Sequence, residues 1–447
     1  MTTVIALFLV FIVGGLFMFL ARLRQPIDLF AGTSFLAGSI VITLAMLVLS
    51  SFGVSWLPAT ILVLSFVFAS SGMVVRLMSS SGISREPQRF RLELPDFLLA
   101  AIVLLHAFYV TETGPRDLDY WVIWGLKAKV FFEAGGTIDW SFLRDASNSF
   151  AHPDYPPLLT FMYGWLASWK EVWSDRWFGL LETGMVASLL VIVRGQVGSM
   201  TRSPRIGSWT ALLLAFPVLQ VRYGIADVPL FAFVTAGLLY LQAALRRGGQ
   251  TAALVGFLLL GGAALTKNEG VSWLVVAIVV YGFASRDLRR TILMALPGIA
   301  VAAAWQAPRL IFGLSADVAA PGKLGRMGER LVDLGWTGNL VAFAPPELTA
   351  AIIATIIALF VARARLKSFS LLFAASGAQL FVYLAIYTVT PYPPAWHVAT
   401  SWDRISLHLA IPTLVGAVTA LTERVSGASA PSGCGVSRKS LEMGASL

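Results

Sequence analysis

Uninterrupted apolar blocks of about 20 residues, the length a helix needs to cross the hydrocarbon core of a bilayer, recur along this chain. Residues 4–21, 30–50, 56–75 and 292–311 are examples. Helices are the open-chain way to satisfy backbone groups in lipid, and the short alternating segments of a membrane barrel do not occur. Composition agrees: 57% of the residues are hydrophobic and 13% are charged, against roughly 25% charged in soluble domains. The expected fold class is therefore all-α, a polytopic membrane protein with about 13 transmembrane helices. The expected spans lie near 2–20, 29–50, 55–76, 94–112, 177–194, 207–222, 227–245, 252–266, 270–284, 291–312, 347–361, 368–389 and 404–421. The first block lacks a basic leader and a small-residue cleavage site, and reads as a retained span.

The stretch 155–169 is shorter, about 15 residues or roughly 22 Å as a helix. Charge distribution decides whether it crosses. If it does not, the basic clusters Arg22/Arg24, Arg76/Arg85/Arg89/Arg91, Arg194/Arg202/Arg205, Arg246/Arg247, Arg286/Arg289/Arg290, Arg363/Arg365/Lys367 and Arg424/Arg438/Lys439 share one side. If it does, the clusters after it change sides. The positive-inside rule thus makes 155–169 a re-entrant or juxtamembrane helix, with the N-terminus outside and the C-terminus cytoplasmic. The net charge of +9 then reflects orientation, and nucleic acid is not an expected partner. The lone Cys434 excludes an intrachain disulfide and a cysteine-based metal site. Residues 1–93 read as a three-helix N-terminal extension, 94–423 as the membrane core, and 424–447 as a Gly/Ser-rich disordered cytoplasmic tail.

That threading gathers polar residues into the outer loops. The loop 113–176 carries TGPRDLDYWVIWGLKAKVFFEAGG, with Asp117 and Asp119 at the foot of an aromatic-rich interfacial helix and Lys127 and Lys129 within it. AHPDYPPLL follows with His152 and Asp154, then RYGIADVPLF with Asp227 and ALTKNEG with Lys267 and Glu269. PYPPAWHVATSWDRISLHLAIP adds His397, Asp403 and Arg404. Singly, each has a bland explanation: Asp119 and Asp227 as helix caps, the lysines as snorkelling anchors. Together, at one membrane level, they point to a cavity with carboxylates on one wall and cations on another, suited to a phosphate-bearing amphiphile.

An acidic first outer loop, an H-P-x-x-P-P-L lead into a short helix, an A-D-x-P-L motif, a K-N-E-G turn and a late T-S-x-D-R segment together resemble the C-type glycosyltransferase superfamily. That group includes protein O-mannosyltransferases, the aminoarabinose transferases of lipid A and bacterial proteins similar to dolichol-phosphate-mannose mannosyltransferases. The likeness covers roughly residues 94–420, and the three spans before it are an addition to the family pattern. It implies an enzyme of the plasma (inner) membrane and the cell envelope. Such an enzyme takes a sugar from a polyprenyl-phosphate donor to a lipid, glycan or protein acceptor on the outer face, with inversion. Asp119, then Asp117, match the family's first-loop carboxylate, and Asp227 matches its second acidic position. Lys127, Lys267 and Arg404 are the cations expected at the departing phosphate. His152, Asp154, Glu269 and His397 complete the expected substrate-binding set. A divalent cation is compatible with carboxylate plus His, but no tight ligand spacing such as HExxH occurs, so no metal ligands are assigned. A lipid-linked glycan transporter or flippase, or a polymer ligase, is the alternative; no internal repeat of the transporter kind is visible.

Overall fold

A chain that must satisfy its own backbone in hydrocarbon folds turn by turn, and helices account for the regular structure here. The computed structural model describes residues 2–21, 25–78, 91–220, 223–247, 249–314, 322–333, 335–361 and 370–427, and no strand occurs among them. The expected tail, 424–447, lies largely outside the described residues.

A helix stands at each expected span, but the helices differ in reach. Among the described residues, nine are long and apolar enough to cross a membrane, or up to ten if Gly335–Ala342 and Pro346–Val361, bent by 90°, count as one span. Pro58–Val74, Pro204–Leu219 and Gln250–Thr266 are apolar but shorter. At 17 residues, Gln250–Thr266 reaches about 26 Å, just under the thickness of the hydrocarbon core. The stretch that charge distribution kept from crossing forms Leu158–Ala167, ten residues and all buried. That is about 15 Å of helix, too short to span. It wedges against Thr2–Leu20 and Ile27–Ser51, so the N-terminal helices support the functional loop.

Burial separates inner from outer helices. The apolar window of Asp227–Arg247 is 94% buried, whereas that of Leu94–Thr113 is only 17% buried, leaving Leu98, Leu104, Leu105 and Phe108 exposed. A helix apolar all round belongs inside the bundle or against lipid, and these two represent each case. Asp227–Arg247 packs against Gln250–Thr266, Gly179–Thr201 and Leu407–Gly427. It is the post around which the site forms.

At the end away from the site, Arg194 joins three helices. Its guanidinium donates to both oxygens of Asp96 at 2.8 and 2.9 Å, to Asp28 at 2.8 Å and to the Arg91 carbonyl at 2.6 Å. Planar, forked donors suit this bidentate arrangement. Removing one partner would strand a buried charge.

Candidate functional site

Five separate segments meet at one end of the bundle around a cavity of about 1000 Å³. Asp117, Asp119, His152, Asp154, Lys267, Glu269, His397 and Arg404 all line it. The remaining two of the expected set, Lys127 and Asp227, sit behind its wall and are buried.

The first segment enters through one π-helical turn, Tyr120–Trp124, which continues as the helix Gly125–Glu133. Such turns are rare and frequent at functional sites. One stripe of this segment, with Tyr120, Trp124, Lys127 and Phe131, is buried, while Trp121 is exposed. Asp117 Oδ1 accepts the Asp119 backbone N–H at 2.9 Å, holding the turn. Asp119 itself makes no capping bond. Its carboxylate instead meets Arg404 Nη1 at 2.5 Å, which removes the capping explanation for this residue.

Asp227 begins its helix, and its carboxylate is the hub of the site. Lys267 Nζ donates to Oδ1 at 3.0 Å, and Arg404 Nη1 lies 3.7 Å from Oδ2. Lys267 also reaches Glu269 at 3.1 Å. Burial by itself works against the Lys267 ammonium, but Asp227 and Glu269 outweigh it and hold the group above its usual range. Lys267 occupies the hairpin between Gln250–Thr266 and Asn268–Ser285. A Cβ on Gly270 would stand 2.0 Å from the Ala263 carbonyl oxygen, so glycine is what lets these helices close and aims Lys267 inward. The turn before Asp227 is fixed similarly: Gly224 takes a φ of +93°, and its N–H donates to buried Glu182 at 2.7 Å. Glu182 also accepts from Tyr163 at 2.6 Å, tying the wedge helix to that turn.

His408, absent from the expected set, completes the hub. Its Nε2 lies 3.1 Å from Asp227 Oδ1, close but without the alignment of a hydrogen bond. Trp273 Nε1 donates to the Tyr383 hydroxyl at 2.9 Å, and that hydroxyl lies 3.1 Å from His408 Nδ1.

Two expectations need correction. Lys127 is not a cavity cation: Nζ donates to the His152 carbonyl at 2.9 Å and lies 5.0 Å from the Trp124 ring centre. Burial pushes its ammonium down to about 7, with Asp154 partly opposing. It braces the 152–155 turn, where His152, at a φ of +47°, stacks on Tyr155 at 4.5 Å. Nor do carboxylates and cations occupy opposite walls. Lys267 and Arg404 interleave with Asp119, Asp227 and Glu269, because unlike charges withdrawn from water must pair. The cavity lining is acidic in sum, with Asp117, Asp119, Asp154, Glu269, Glu347 and Asp403 against Lys267 and Arg404. Asp154 is engaged by Asn268 Nδ2 at 2.6 Å, and His397 packs edge-on to Tyr387 at 4.9 Å. Among the described residues, no group of three or more His, Cys, Asp and Glu converges to hold a metal ion.

Chemically, the site offers a partly exposed carboxylate on the cavity wall, Asp119, paired to Arg404. Beside it stand two cations, Lys267 and Arg404, held in place by the buried Asp227 carboxylate. Comparison with protein-family models, curated proteins and solved structures found no match to this chain.

Proposed function

We propose that this chain is a membrane glycosyltransferase of the C type, passing a sugar from a polyprenyl-phosphate carrier to an acceptor with inversion. The observation that carries the proposal is the Asp119–Arg404–Asp227–Lys267 chain of ion pairs on the wall of a large cavity. It sets a base candidate beside fixed cations, the two things an inverting displacement from phosphate requires. In the proposed reaction Asp119 takes the proton of the acceptor nucleophile. The acceptor atom bonds to the anomeric carbon from the face opposite the phosphate. The carbon–oxygen bond to phosphate breaks, and polyprenyl phosphate departs with the electron pair, met by Arg404 and Lys267. Among the described residues no group of three or more His, Cys, Asp and Glu side chains converges to hold a metal ion, and the reaction rests on the chain's own side chains.

The proposal includes the thirteen-span threading, in which the shorter helices cross as well. It also places the cavity on the extracytoplasmic side of a plasma membrane, with lipid, glycan or protein as acceptor. The test is sugar transfer from a panel of radiolabelled polyprenyl-phosphate sugars by purified wild type and Asp119→Asn. Transfer by the wild type that falls at least about 100-fold in an equally stable variant is the expected result. Absence of transfer across the panel, with the lipid phosphate still bound, would turn the assignment to a lipid-linked glycan flippase.

A further inference from the structure

The cations of the cavity lining are already engaged. Arg404 Nη1 is 2.5 Å from Asp119 and 3.7 Å from Asp227, and Lys267 is bound to Asp227 and Glu269. Carboxylates outnumber cations around the lining. Among the described lining residues an incoming phosphate therefore finds no cation without a carboxylate partner, and it must take one from a carboxylate. Which carboxylate yields is decided by what becomes of it afterwards. Asp227 has 2% of its side chain accessible, and losing its partners would leave a bare charge in a low-dielectric interior. Asp119 has 28% accessible and faces the cavity, so on release it is solvated.

We propose that Asp119 is a resident competitor for the phosphate site, so that seating a phosphate on Arg404 is the event that frees the Asp119 carboxylate. This rests on the lipid-phosphate donor proposed above and adds an order of events to it. With the cavity empty, Arg404 masks Asp119 and holds it as an ion pair. With a phosphate bound, the guanidinium fork turns to the phosphate oxygens, an arrangement it favours. Asp119 is then available to accept a proton only when the donor is present. The same guanidinium stays near Asp227 throughout, which keeps it at the site during the exchange.

The consequence runs against ordinary expectation for an active-site carboxylate: removing its charge tightens the ligand. The experiment measures binding of unglycosylated polyprenyl phosphate to the purified full chain in detergent. It compares wild type, Asp119→Asn, Arg404→Gln and the double variant, with inorganic phosphate titrated in parallel. Asp119→Asn is expected to bind the lipid phosphate about fivefold more tightly, the scale of one partly exposed ion pair. Arg404→Gln is expected to weaken it at least about tenfold. In the Arg404→Gln background the gain from Asp119→Asn should largely disappear, the coupling that a double-mutant cycle isolates. A gain that persists undiminished there would reflect general repulsion and overturn the competition. Unchanged affinity in Asp119→Asn would overturn it too while leaving the donor class standing, and Asp119→Ser guards against a folding defect in one variant. Failure of the wild type to bind polyprenyl phosphate would instead remove the donor class itself. Tightening for inorganic phosphate as well as for the lipid would assign the competition to phosphate charge alone. Tightening for the lipid only would assign it to the lipid-linked phosphate.

Discussion

Asp119 and Asp227 share one guanidinium, but 28% of the first side chain and 2% of the second are accessible. Replacing Asp119 by Asn withdraws a partly hydrated charge, and its effect on thermal stability in detergent should stay within about 1 kcal/mol while transfer is lost. Replacing Asp227 by Asn takes away the buried carboxylate that Lys267 and Arg404 share and leaves each with a single, more exposed carboxylate, Glu269 and Asp119. That should cost about 3–5 kcal/mol of stability and lower transfer through misplacement of both cations. A thermal scan of the two purified variants checks the contrast; equal loss of stability in both would mean that Asp119 is part of the scaffold. Lys127 makes a different prediction. Its ammonium is pushed down to about 7 by burial, whereas in the unfolded chain it titrates near 10.4. Between those values the unfolded state carries the proton and the folded state does not, so stability rises with pH. The folded state bears the full penalty below about 7 and none above the unfolded value. The melting temperature of wild type minus that of Lys127→Met should therefore increase from pH 7 to pH 9. A flat difference would show that Lys127 keeps its proton in the folded protein.

The Gln250–Thr266 and Asn268–Ser285 helices meet where a Cβ on Gly270 would collide with the Ala263 backbone. Gly270→Ala must push the hairpin open, and overpacking of this kind costs about 1–3 kcal/mol. Because Lys267 sits in that hairpin, the variant should lose transfer as well as stability; normal activity with normal melting would mean that the hairpin relaxes freely. Helices and their order were readable from the apolar blocks, since bilayer thickness and backbone satisfaction leave few choices. The membership of the site was partly readable as well: polar residues on one membrane level converge whichever helices carry them. What could not be read was pairing. Asp119 and Arg404 are 285 residues apart, and no local period links them. His408 lies in an apolar stretch, Leu407–Gly427, that reads as a plain span, so nothing local marks it as a neighbour of Asp227. For Lys127 a signal of its placement is visible: it falls in the same helical stripe as Tyr120, Trp124 and Phe131, all buried.

At the scale of the whole molecule, the Asp227–Arg247 helix carries its Asp at the first turn, inside the site, and Arg246 and Arg247 in the last. Its 21 residues span about 31 Å, so the acidic cavity and a basic cluster stand a bilayer apart. The proposed threading puts the basic end in the cytoplasm by the positive-inside rule and the cavity on the opposite side, where the proposed lipid-linked sugars would have to be presented. Leu118, between Asp117 and Asp119, is 70% exposed and tolerates a probe. The lone Cys434 of the natural chain reports the C-terminal side. A membrane-impermeant maleimide applied to intact cells should label Leu118→Cys in a Cys434→Ser background. The native cysteine should react only after permeabilisation. Labelling in the reverse order would put the cavity in the cytoplasm, reverse the threading, and make a donor displayed outside the cell unreachable.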